Sequence, residues 1–367
     1  MQLLSLSLLN YRSHAEKRFE FNEQVAVFTG PNGSGKTNIL DALHYLAFTK
    51  GFLNPADNSN ILRGEAFFMI EGKFEMDGRT DAVSVGLKRG QAKAMRRNAK
   101  EYQKLSEHIG LYPLVLIAPT DIVLITGGSE ERRKFIDSLI AQFNRGYLDR
   151  LIRYNKLIQQ RNALLKQGNA DRSLLEILDM QLSEWAPAIH ADRAAILNRL
   201  EPLFCNYYRF LSGEREMVSL HYKSALHDSS MEELLLKSAE RDRVMQYTTE
   251  GIHKDDLDIA VNGLPIRRFA SQGQQKSILI ALKLAQFDLI RAEKSIKPLL
   301  LLDDIFEKLD QDRITALMKL VSQQHFGQIF ITDSHPERVA EILGSIDCAF
   351  DRFSIEPTAM AETQNTD

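Results

Sequence analysis

The chain is 367 residues long, 44% hydrophobic and 26% charged, with a formal net charge of −3. That profile fits a globular protein with one large domain carrying an inserted lobe, or with two domains. No stretch approaches the ~18 apolar residues of a membrane span, and the N-terminal MQLLSLSLLNYRS lacks a basic leader, so neither a membrane nor a secreted protein is expected. Cys205 and Cys348 have no Cys or His neighbours at ligand spacing, which points to two reduced thiols in a cytosolic protein, without a disulfide scaffold or zinc site.

Residues 3–9, 17–21 and 25–29 read as three short strands. The third runs directly into GPNGSGKT, Gly30 to Thr37, which matches G-x-x-x-x-G-K-[ST]. Behind it, Asn38 to Ala47 sets Ile39, Leu40, Leu43 and Leu46 on one helical face. A glycine-rich turn between strand and helix lets backbone N–H groups wrap a polyphosphate at the positive end of the helix dipole. Gly30, Pro31, Asn32, Gly33, Ser34, Gly35 and Asn38 frame that site. Lys36 reaches the β- and γ-phosphates, and the Thr37 hydroxyl joins Mg²⁺.

The turn-rich stretch Phe52 to Glu65 carries one arginine, Arg63, open to a phosphate or to solvent. Phe67 to Phe74 and Ala82 to Lys88 are strand-like and joined through Asp77-Gly78, a hairpin signal. Lys88 to Lys104 then holds seven cations against the single acid Glu101, a local charge of +6 that leaves −9 for the remainder. A further hairpin turning at Asn98-Ala99 presents Lys93, Arg96, Arg97 and Lys100 either to a nucleic-acid backbone or to solvent.

Leu114 to Ala118 is another buried strand. Ser129 is expected to cap a helix with Glu130 and Glu131 in its first turn, and from there to about residue 243 the chain reads as helical. Leu148, Leu151, Ile158 and Leu165, then Leu175, Leu178, Leu182, Trp185 and Ile189, form two apolar stripes separated by a turn at Gln167 to Ala170. They predict an antiparallel helical hairpin with arms of about 20 residues, with Pro187 and Pro202 marking a kink or helix starts. Residues 217–222 and 244–249 are expected as strands, and Asn262-Gly263 as a hairpin turn.

Ser271 and Gln274 make a capping box for a helix whose apolar face is Ile278, Leu279, Leu282, Ala285 and Leu289. Leu299 to Leu302 reads as a central strand buried on both faces, with Asp303 and Asp304 at its carboxyl end. Asp303 is positioned to hold Mg²⁺ and Asp304 to orient or deprotonate an attacking water. Asp310 caps the next helix. Gln328 to Thr332 is one more buried strand, followed by His335, a structural residue or a sensor of the γ-phosphate. The last dozen residues, with three acids and no base, read as a disordered tail.

Assembled, these residues resemble the RecF family of bacterial recombination and repair ATPases, relatives of the SMC-type heads of the ABC class. The resemblance rests on Asn10-Tyr11-Arg12, the phosphate loop, PTD and GGSEERRKFID between Pro119 and Asp137, and QQRNALLK at Gln159 to Lys166. GIHKDDL at Gly251 to Leu257, SQGQQKS at Ser271 to Ser277 and LLLLDDIFEKLD complete it. It implies an α/β fold, an ABC-type P-loop ATPase head of mixed sheet and helices with an inserted, mainly helical lobe. The implied parts are 1–125 and 244–356 for the two portions of the ATPase lobe, 126–243 for the helical lobe and 357–367 for the tail.

The resemblance implies that Arg12 contacts ATP, that Ser271, Gly273 and Gln274 form the signature motif, and that Asp310 is the D-loop aspartate. Asp303 becomes the Walker B aspartate, and Lys36, Asp304 and His335 the catalytic set. Two ATP molecules are then sandwiched between two copies, Ser271 of one capping the γ-phosphate held by Lys36 of the other. The implied protein is a cytoplasmic, slow, DNA-stimulated ATPase of recombinational repair and replication restart. ATP clamps it on double-stranded or gapped DNA and hydrolysis releases it, with RecO and RecR as partners. Arg132 and Arg133 join the DNA-facing cations. Three departures stand out: no arginine in Phe52 to Pro55, no Q-loop glutamine after Leu114 to Ala118, and aspartate in place of the usual glutamate at 304, which implies slow turnover. Competing readings are an ABC transporter ATPase subunit, whose hydrolysis would ignore DNA, and a nonenzymatic ATP-gated scaffold.

Overall fold

The structure, a computed structural model, describes residues 1–54, 56–167, 172–213, 216–308, 311–322 and 325–357. Two compact units divide the chain: Met1–Pro119 with Ser295–Asp367, and Thr120–Lys294. The first unit opens with β1 (Gln2–Tyr11), β2 (His14–Glu20), β3 (Val25–Thr29), α1 (Lys36–Phe48), β4 (Phe67–Met76), β5 (Arg79–Lys88), β6 (Ala94–Arg97), β7 (Lys100–Glu101) and β8 (Leu114–Ile117). The second contains α2 (Val123–Thr126), α3 (Ser129–Ala141), α4 (Arg145–Lys166), α5 (Arg172–Ser212), β9 (Val218–Lys223), α6 (Met231–Met245), β10 (Asp256–Val261), β11 (Leu264–Pro265), α7 (Ile266–Phe269) and α8 (Gln272–Lys294). The first unit resumes with β12 (Leu299–Asp303), α9 (Gln311–Ser322), β13 (Ile329–Asp333), α10 (Pro336–Gly344) and β14 (Phe350–Ser354).

Two sheets make the first unit. One is antiparallel in the order β2-β1-β4-β5-β6-β7, the other parallel in the order β14-β3-β13-β12-β8. The parallel strands are buried on both faces, hence the unbroken runs VAVFT, LLLLD and IFITD. Helix α1 packs against strands of both sheets. It contributes Ile39, Leu40, Leu43 and Leu46 to a core shared with Leu6, Phe28, Phe68, Leu301 and Phe330. The turns Asp77-Gly78 and Asn98-Ala99 join their strands through two residues, and Asp77, Asn98 and Ala99 take the positive φ that such tight turns demand.

In the second unit α5 is a single helix of 41 residues, about 60 Å long. This corrects the expected 20-residue arm, and neither Pro187 nor Pro202 breaks it. Both prolines face solvent while Ala186, Ile189, Leu200 and Phe204 beside them are buried, so continuous packing offsets the roughly 3 kcal/mol each proline costs. Packing of α5 on α4, α6 and α8, together with the sheet β11-β10-β9, ties residues 244–294 into this unit. The division therefore falls near 120 and 294 and not at 126 and 243.

Residues 244–249 form the end of α6 and a loop, not a strand. Thr248 and Thr249 bond the side chains of Asn162 and Asp242, which removes their backbone from any ladder. Ser129 lies inside α3, whose N-cap is Gly128. Of the turn at 167–170 only Gln167 is described, and Asp310 and the tail from 358 onward lie outside the described residues. Among the described residues no helix is long and apolar enough to cross a membrane.

Candidate nucleotide site and basic segments

The parallel sheet sets the geometry. β3 ends at Thr29 and delivers the phosphate loop, while β12 ends at Asp303; β13 lies between them and contributes Thr332, paired in register with Asp303. The Thr37 hydroxyl donates to Asp303 Oδ1 at 2.8 Å, and the Thr332 hydroxyl donates to the same oxygen at 2.7 Å. Asp304 N–H donates to Thr332 Oγ1 at 3.0 Å. One hydroxyl on the middle strand thus bonds both the Asp303 carboxylate and the Asp304 backbone. Thr332 was missed in the sequence because its importance comes from strand order, which no local pattern encodes.

Within the loop, Gly35 has φ +97°, and a Cβ there would lie 2.8 Å from the His14 ring; Gly30 has φ +153°, and its Cβ would meet the Ile355 carbonyl at 2.1 Å. Only glycine fits either position. Lys36 is 4% exposed, and its ammonium donates to the carbonyl oxygens of Gly30 and Pro31 at 2.8 and 3.0 Å. No carboxylate pairs with it among the described residues, and the buried Ser34 hydroxyl bonds no protein atom. A buried cation and hydroxyl without anionic partners suit a bound phosphate, because an uncompensated buried charge is costly. The adjoining Thr37 and Asp303 oxygens form a hard oxygen donor pair of the kind that Mg²⁺ takes.

The turn between β1 and β2 seats on this loop. His14 Nε2 donates to the Gly35 carbonyl at 3.0 Å, and Asn38 Nδ2 donates to Ser13 Oγ at 2.7 Å. Burial lowers the His14 pKa, so the ring is neutral there. Arg12 donates through Nε to Asp41 at 2.7 Å, leaving its buried Nη2 without a protein partner. Asp41 also accepts from Tyr11 and from the backbone of Phe52 and Leu53, so this carboxylate holds the loop after α1.

His335 is the N-cap residue of α10 and its side chain is largely exposed. Its backbone N–H and Arg338 both bond the buried Asp333. In the second unit, Ser271 and Gln274 close a reciprocal capping box at the start of α8, with Ser271 exposed and Gly273 half-buried.

The six basic candidates separate sharply. Lys93 donates to the Thr49 carbonyl at 2.7 Å, pairs with Asp57 at 2.9 Å and lies over the Tyr45 ring. Arg97 makes two bonds to Asp81, which burial would push up but which hydrogen bonds from Arg97, Asn98 and Tyr112 hold below the usual carboxylate range. Arg132 is 8% exposed and grips Asp256 with two bonds while donating to the Leu124 and Gly127 carbonyls. Arg133 donates to the Asp255 carbonyl at 2.6 Å, and burial lowers its pKa. These four are committed to internal partners. Arg96, paired with Glu101, and Lys100 remain exposed, together with Lys88, Arg89 and Lys104. Arg63 is exposed as well.

Fold and site together define an ABC-type P-loop ATPase head. The sequence matches the family described as RecF/RecN/SMC N terminal domain over residues 2–345. It is 44% identical over 359 residues to the DNA replication and repair protein RecF of Flavobacterium johnsoniae, covering 97% of this chain and 100% of that one. A solved structure of the recombination mediator protein RecF-ATPrS in the RecFOR pathway superposes with a TM-score of 0.86 at 27% identity, covering 97% of this chain and 96% of that chain. The Smc head domain of Pyrococcus furiosus shares the fold at a TM-score of 0.58 and 15% identity, covering 97% of this chain and 94% of that one. The chain belongs to the RecF family.

Proposed function

We propose that the chain is an ATP-dependent DNA-binding protein of recombinational repair and replication restart, and a slow, DNA-stimulated ATPase. The observation that carries this reading is the buried Lys36 ammonium, free of any carboxylate among the described residues, beside the Thr37 to Asp303 hydrogen bond. Relatives named DNA replication and repair protein RecF, and a solved structure of RecF-ATP, support carrying ATP and DNA over to it.

Gly30 to Thr37, with Asn38 and Arg12, hold the triphosphate, and Lys36 grips its terminal group. Thr37 and Asp303 would hold Mg²⁺, which when bound would neutralise phosphate charge. Asp304 orients and deprotonates the attacking water, and His335 senses the γ-phosphate. Ser271 and the N-terminus of α8 from a second copy complete the site, with Gly273 and Gln274 shaping that cap and Asp310 serving as the D-loop aspartate. Hydrolysis removes the group that both copies grip, so the clamp opens. DNA is held without sequence preference by exposed cations such as Arg96 and Lys100, and RecO and RecR take part downstream.

Sedimentation with and without ATP and a gapped duplex tests the reading. A dimer that forms and carries the duplex only with ATP is expected, and Asp304→Asn should prolong its life. Identical species with and without ATP would overturn it.

A further inference from the structure

We infer that Glu216, outside every motif named above, is a positioning residue that sets the signature serine for ATP. Its carboxylate is half-buried and bridges two elements: Tyr208 O–H of α5 donates to Oε2, and Gln274 Nε2 of α8 donates to Oε1 at 2.6 Å. The Gln274 amide continues the chain, its Oε1 accepting the Ser271 N–H at 2.7 Å while its own backbone N–H donates to Ser271 Oγ at 3.2 Å.

The chemistry fixes every direction in this relay. A backbone N–H can only donate, so it takes the amide oxygen of Gln274, and the amide nitrogen must then face a pure acceptor. Glu216 is that acceptor. A side chain at 216 with no acceptor oxygen would leave the amide able to rotate, and Ser271 would lose the partner of its N–H. With the relay intact, Ser271 Oγ is already used as an acceptor and its hydrogen is left to donate to a phosphate oxygen.

Glu216 is itself held on a rigid support. The next residue, Met217, exchanges two hydrogen bonds with Asn262, its N–H reaching Oδ1 at 3.0 Å and its carbonyl accepting the Asn262 N–H at 2.8 Å. Asn262 sits at the β10–β11 turn with φ +49°, and from Val218 onward the chain pairs with β10 in register. The far end of the relay, Tyr208, is 1% exposed near the C-terminus of the long helix α5. The carboxylate therefore ties the end of the helical arm to the residue that caps the γ-phosphate.

The inference rests on the proposed trans role of Ser271, so its test needs a readout that does not depend on dimerisation. In the full chain, hydrogen exchange at the Ser271 amide should quicken about tenfold in Glu216→Ala, near the upper end of what the loss of one hydrogen bond between neutral groups gives. Nucleotide affinity at the phosphate loop should be unchanged, and the ATP concentration for half-dimerisation should rise by a similar factor. Glu216→Gln, which keeps an acceptor oxygen, should recover most of both effects. Adding Gln274→Ala to Glu216→Ala should cost nothing more, because both act through one amide. Unchanged exchange in Glu216→Ala, or additive losses in the double variant, would overturn the role. If the wild-type chain stays monomeric with ATP, the dimer reading falls and the exchange measurement still decides Glu216.

Discussion

Replacing Arg132 with Met separates two roles that its charge alone leaves open, a DNA contact and an internal tether. The side chain is 8% exposed and spends its donors on Asp256, at 2.7 and 3.0 Å, and on two backbone carbonyls. Each hydrogen bond to a charged partner contributes about 1.5–3 kcal/mol when buried. Because the Asp256 side chain is 28% exposed, water recovers part of its hydration, and a net loss of about 2–3 kcal/mol is expected. Burial alone would raise the Asp256 pKa, but the Arg132 hydrogen bonds and the Leu257 N–H hold it below its ordinary value. A carboxylate with a depressed folded pKa stabilises above its unfolded value and loses that stabilisation as pH falls. The deficit of Arg132→Met should therefore be full at pH 7 and shrink below about pH 4. Trp185, the single tryptophan, lies in the same unit, so urea unfolding followed by its fluorescence reads the loss directly. DNA titrations over a range of salt should show an unchanged slope. A stability change under about 0.5 kcal/mol, together with a salt slope reduced by about 0.9, would refute the tether and restore the DNA contact.

Lys36→Arg should weaken ATP binding or hydrolysis severely, since a planar guanidinium cannot replace a buried ammonium wrapped by the loop; near-normal turnover would sink the phosphate-loop assignment. Ser271→Arg should spare ATP binding and abolish ATP-dependent dimerisation in the ultracentrifuge. Reversing Arg96 and Lys100 together to Glu should weaken DNA binding and flatten its salt slope, whereas Lys93→Met should lower the thermal midpoint and leave the slope alone. Burial pushes the His108 imidazole down to about 4, so its contribution is complete above about pH 6.5 and is lost as pH falls from there towards 4. His108→Gln should flatten that limb of the stability curve, and an unaltered limb would exclude His108 as its source.

What the sequence disclosed was whatever is local. The phosphate loop declares itself because turn, lysine and hydroxyl must be adjacent, and Leu299 to Asp304 because a strand buried on both faces admits no polar residue before its end. The hairpin turns at Asp77, Asn98 and Asn262 were legible for the same reason. Thr332 was not, since its task arises only when β13 slots between β3 and β12. Nor was the fate of the basic residues: Lys93 finds Asp57 and Thr49, Arg97 finds Asp81 and Arg132 finds Asp256, all pairings made by the fold across long separations. A count of charges measures supply, and only the structure shows how much is already committed. The helical arm exceeded its expected length because two prolines, strong breakers in isolation, face solvent where neighbouring apolar residues keep the helix packed.

The order of the parallel sheet also bears on how the protein is made. Both neighbours of β3, the strand that delivers the phosphate loop, come from β13 and β14 near the far end of the chain. At about 5–20 residues per second, some 300 residues of synthesis separate β3 from its first partner, a wait of roughly 15–60 s. Through that interval an apolar strand with two open edges is exposed, while the residues of Thr120–Lys294 emerge as one continuous stretch able to fold on its own schedule. A chaperone that shields β3 across that interval is therefore expected to raise the yield of folded chains.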